Sequence, residues 1–136
     1  MGIDQKRFYA GSPSTNSKET IAWWELRRVA YNIIVGIVGI VSIIIMELFG
    51  STFIGPGEDF VEPLGLILGV LLFGLAANAG YTLGWIIELR IPDNNTDARR
   101  EFRTRNFKKV LLGSCIVATL PVWLSLVAWV IYLLSG

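Results

Sequence analysis

The stretch VAYNIIVGIVGIVSIIIMELF, Val29 to Phe49, decides the fold. It carries no charged side chain before Glu47. About 20 mainly apolar residues in an α-helix cross the roughly 30 Å of hydrocarbon in a bilayer, and this run is that long. Its Ile and Val residues are mediocre helix formers in water but suit lipid. A barrel strand would alternate polar and apolar residues, and this run does not. A lipid-facing backbone must also satisfy its own hydrogen bonds, which leaves the helix. Glu47 then sits at the outer end of the span as a carboxylate near water.

Two further runs have the same character. Pro63 to Leu89 is the second span, with Pro63 acceptable in a first helical turn because no N–H is needed there. Val110 to Leu134 is the third, and Pro121 within it is expected to kink the helix and free a carbonyl near Val117. The chain thus reads as an all-α integral membrane protein with three transmembrane helices. Residues 1–16 read as a flexible polar tail. A first helix covers 17–49, its membrane-crossing part 29–49, with Asn16 and Glu19 as a capping-box start and Trp23 and Trp24 at headgroup level. Residues 50–62 form an acidic outer loop, and 90–109 a basic loop and helix entered through a turn at Pro92, Asp93, Asn94 and Asn95.

Composition agrees. Apolar residues make up 53% of the 136, and mean hydropathy is +0.56. A soluble fold of this size cannot bury so much apolar surface. The net charge of +1 says little, but its distribution says much. All 12 Lys and Arg residues fall in two segments: Lys6, Arg7, Lys18, Arg27 and Arg28 before the first span, and Arg90, Arg99, Arg100, Arg103, Arg105, Lys108 and Lys109 between the second and third. The loop 50–62 has none and carries Glu58, Asp59 and Glu62. Three spans place both basic segments on one face, so the positive-inside rule puts the N-terminus in the cytoplasm and the C-terminus outside. No cleavable signal segment is expected, and Lys6 departs from the myristoylation pattern. A plasma membrane, of the bacterial inner-membrane kind, is the expected location. The Asn94-Asn95-Thr96 sequon then faces the cytoplasm and stays unglycosylated.

There is no histidine, the usual general base and commonest metal ligand. Cys115 is the single cysteine and lies in an apolar run. No catalytic residue, metal site or cofactor is expected, and the chain reads as not an enzyme.

One polar constellation stands out. Asn78, Tyr81, Trp85 and Glu88 recur at steps of three, four and three, one face of a helix. Glu25, Arg28 and Asn32 form a similar face on the first helix. Polar side chains in lipid seek each other, so the two faces should meet, with Arg28 beside Glu88 and Asn32 bonded to Asn78 deeper in. The cluster reads either as interhelical glue or as a cytoplasm-facing pocket for a ligand. Arg99, Arg100, Arg103, Arg105, Lys108 and Lys109 are expected to meet anionic lipid headgroups. No nucleic acid is expected as a partner. Gly36 and Gly39, Gly65 and Gly69, and Ala76, Gly80 and Gly84 form small-residue ridges that let helices approach closely, within one bundle or between copies.

Three functional readings follow. The first is a non-catalytic membrane subunit: a scaffold, anchor or assembly partner that associates with other subunits or with itself. The second is an oligomerising effector that permeabilises the bilayer. The third is a ligand sensor built on Asn78, Tyr81 and Glu88.

Overall fold

The computed structural model describes residues 17–91 and 96–135, with the backbone alone described at Thr96. The tail over 1–16, the Asn16 cap and the turn at 92–95 lie outside the described residues. Among the described residues the regular elements are all α-helices: α1 Ser17–Gly50, α2 Pro63–Leu89, α3 Thr96–Ala118 and α4 Leu120–Ser135. Three rods are long and apolar enough to cross a membrane: α1, α2, and α3 with α4 end to end.

The break between α3 and α4 follows from Pro121, whose missing N–H and bulky ring disrupt the carbonyl one turn earlier. The chain adjusts locally. Thr119 N–H bonds the Cys115 carbonyl at 3.2 Å and the Ile116 carbonyl at 3.1 Å, while Thr119 Oγ1 donates to the Ile116 carbonyl at 2.7 Å. The run 110–134 is therefore two helices meeting at Thr119.

The helix α1 is the shared element, packing against α3 at one end and α4 at the other, while α2 leans chiefly on α3. One end of the molecule gathers the start of α1, the end of α2 and the start of α3; this is the basic end. The opposite end holds the α1–α2 loop. There Phe49 stacks edge-on with Trp129 at 5.8 Å, and Phe53 meets both Phe60 at 5.3 Å and Tyr132 at 5.6 Å. The Phe60 ring lies so close over Gly50 that any Cβ there would overlap it. These rings tie the loop to α1 and α4.

The core sits at the basic end and comprises Trp24, Tyr31, Val35, Tyr81 and Phe107. The buried face of α1 runs through Thr20, Trp24, Arg27, Tyr31 and Val35, at steps of four, three, four and four. That is the helical period. The opposite faces are uncovered: Ile33, Ile37 and Ile40 on α1 and Leu68, Leu72 and Leu75 on α2 are exposed. A surface this apolar suits hydrocarbon and not water.

Gly84 is the glycine that decides how α1 meets α2. A Cβ there would stand 3.0 Å from Trp24 Cη2 and 3.2 Å from Asn106 Nδ2. Gly80, one turn away, has nothing within 4 Å. Gly84→Leu should therefore destabilise the fold by about 1–3 kcal/mol through overpacking, and Gly80→Leu should leave it nearly unchanged. Thermal unfolding in detergent micelles, followed by circular dichroism, checks this; equal midpoints for the two variants would contradict it.

Candidate functional site

Glu88 lies one residue before the end of α2, where chain direction brings it beside the start of both α1 and α3. Its side chain is fully buried. Every oxygen of its carboxylate is bonded. Trp24 Nε1 donates to Oε2 at 2.7 Å. Arg103 converges on Oε1 with both Nε, at 2.8 Å, and Nη2, at 2.5 Å. Arg103 Nη2 also donates to Thr20 Oγ1 at 3.1 Å, and Thr20 is itself fully buried. One carboxylate thus joins α1, α2 and α3. Charge-assisted bonds of this kind are about twice as strong as neutral ones.

An aromatic shell excludes water from the pair. Trp24 meets Tyr81 edge-on at 5.2 Å and Phe107 at 6.1 Å. Arg103 lies over the Trp23 ring at 5.2 Å, and Arg27 covers the same ring at 3.8 Å. Tyr81 donates its hydroxyl to the Trp24 carbonyl at 2.5 Å. Deeper in, Tyr31 shares a hydrogen bond with Ser114 at 2.6 Å and donates to the Ala77 carbonyl at 3.1 Å.

The chain matches no protein-family model, no curated protein and no solved structure.

The two polar faces read from the sequence do meet, but with a different pairing. Arg28 does not reach Glu88: it bridges Glu25 on its own helix at 3.0 Å and donates to Thr82 Oγ1 at 2.9 Å. The reason is helix rotation. Arg28 lies on the flank of α1, whereas Trp24, one turn earlier, points straight at α2. Asn78 donates to Asn32 Oδ1 at 3.1 Å and also to the Gly74 carbonyl at 3.0 Å. Trp85 packs half-buried against the core, and its Nε1 has no hydrogen-bond partner among the described residues. Trp24 is wholly buried among protein side chains.

The basic segment divides. Arg100, Arg105, Lys108 and Lys109 are exposed. Arg99 and Arg103 are buried and turn to protein partners, so they leave the headgroup-facing set. Arg99 donates through Nε to the Ile91 carbonyl at 3.0 Å, just past the end of α2, where a cation complements the helix dipole. Among the described residues, no group of three or more His, Cys, Asp or Glu side chains is placed to hold a metal.

Thr20, Trp24, Arg103 and Phe107 belong to the site but not to the polar cluster read from the sequence, which assigned Trp24 and Arg103 to the headgroup region instead. A signal for them exists. Arg99, Arg103, Phe107, Val110 and Ser114 follow at steps of four, four, three and four, an inward face hidden within a segment that looked uniformly basic.

Removing one partner of a buried ion pair leaves an unpaired charge and costs about 3–5 kcal/mol, whereas replacing both with apolar groups of similar size is often neutral. Arg103→Met alone should therefore lower the unfolding midpoint sharply, and the Glu88→Leu/Arg103→Met double variant should recover most of the loss. Thermal melts of the wild type, both single variants and the double variant measure this. A double variant no more stable than the sum of its singles would show that the pair is not coupled.

Proposed function

We propose that this chain is a non-catalytic subunit of a membrane assembly, a scaffold or anchor, seated in a plasma membrane of the bacterial inner-membrane kind. The observation that carries this reading is that the buried ion pair at the centre of the site is bonded wholly within the chain. Glu88, the most buried carboxylate, is occupied at both oxygens by Trp24 and Arg103. Tyr81 is occupied by the Trp24 carbonyl. A carboxylate sealed in this way is out of reach of an outside molecule. The cluster acts as glue that sets the helices' rotation and spacing, which is what a scaffold requires.

The orientation rests on charge. The basic end carries the Lys and Arg residues of α1 and α3, with Arg90 just past α2, and the opposite loop carries Glu58, Asp59 and Glu62. The positive-inside rule then supports a cytoplasmic N-terminus and an outer C-terminus. Arg100, Arg105, Lys108 and Lys109 would meet anionic headgroups, each contributing about 1 kcal/mol near the surface.

Reconstituted into dye-loaded liposomes, the wild-type chain should leave the vesicles sealed. Leakage above that of protein-free vesicles would favour the permeabilising effector instead. In a Cys115→Ser background, Glu58→Cys should react with an impermeant maleimide on intact cells, and Arg100→Cys only after permeabilisation. The reverse pattern would invert the topology.

A further inference from the structure

We draw no further inference here: the strongest candidate, the apolar, glycine-lined cleft of about 560 Å³ between the outer halves of α1 and α2, carries nothing because nothing in the structure shows what covers it.

Discussion

A charged carboxylate sealed among aromatic rings sets the geometry of this molecule. Glu88 is costly to bury, and only a full set of partners makes its position tolerable. Those partners come from two other helices: Trp24 and, through Arg103, Thr20 on α1, and Arg103 itself on α3. The requirement to supply them fixes the rotation of each helix about its axis. Once Trp24 faces Glu88, its indole needs the space that Gly84 leaves, and Tyr81 finds the Trp24 carbonyl within reach. The inner core of Trp24, Tyr31, Tyr81 and Phe107 follows from that arrangement.

The two ends of the molecule use different physics. At the basic end, hydrogen bonds and an ion pair specify which helix faces meet, because dispersion alone discriminates poorly among apolar surfaces. At the loop end, ring contacts among Phe49, Phe53, Phe60, Trp129 and Tyr132 hold the chain reversal. Between them the outer half of α2 is left without a partner beside α1. In hydrocarbon there is little penalty for that exposure, since lipid is as apolar as the side chains it touches.

Much of the architecture is legible in the amino-acid order. Long uncharged runs such as Val29–Met46 leave the helix as the one backbone form that satisfies its own hydrogen bonds in lipid. The segregation of Lys and Arg into two segments separates the spans. The polar faces on α1 and α2 are also visible as periodic patterns, and the Asn32–Asn78 contact follows from them. What the pattern does not reveal is partner choice. Arg28 and Arg103 are chemically equivalent candidates for Glu88, and a difference in helix rotation of less than half a turn selects between them. Trp24 looks like an interfacial indole because its neighbour Trp23 and the nearby arginines share that composition. Its burial depends on Gly84, more than 50 residues away in the chain, and no local window holds both.

The sealed state of the Glu88 carboxylate is open to direct observation through the indole proton that binds it. Solution NMR of the ¹⁵N-tryptophan-labelled chain in micelles, with the Trp24 signal assigned by Trp24→Phe, reports its exchange with water. The Trp24 Nε1 proton should exchange far more slowly than an exposed indole, and its resonance should move strongly in Glu88→Gln. Rapid exchange, or a resonance unmoved by Glu88→Gln, would mean that Trp24 does not hold the carboxylate and that the three helices are joined in some other way.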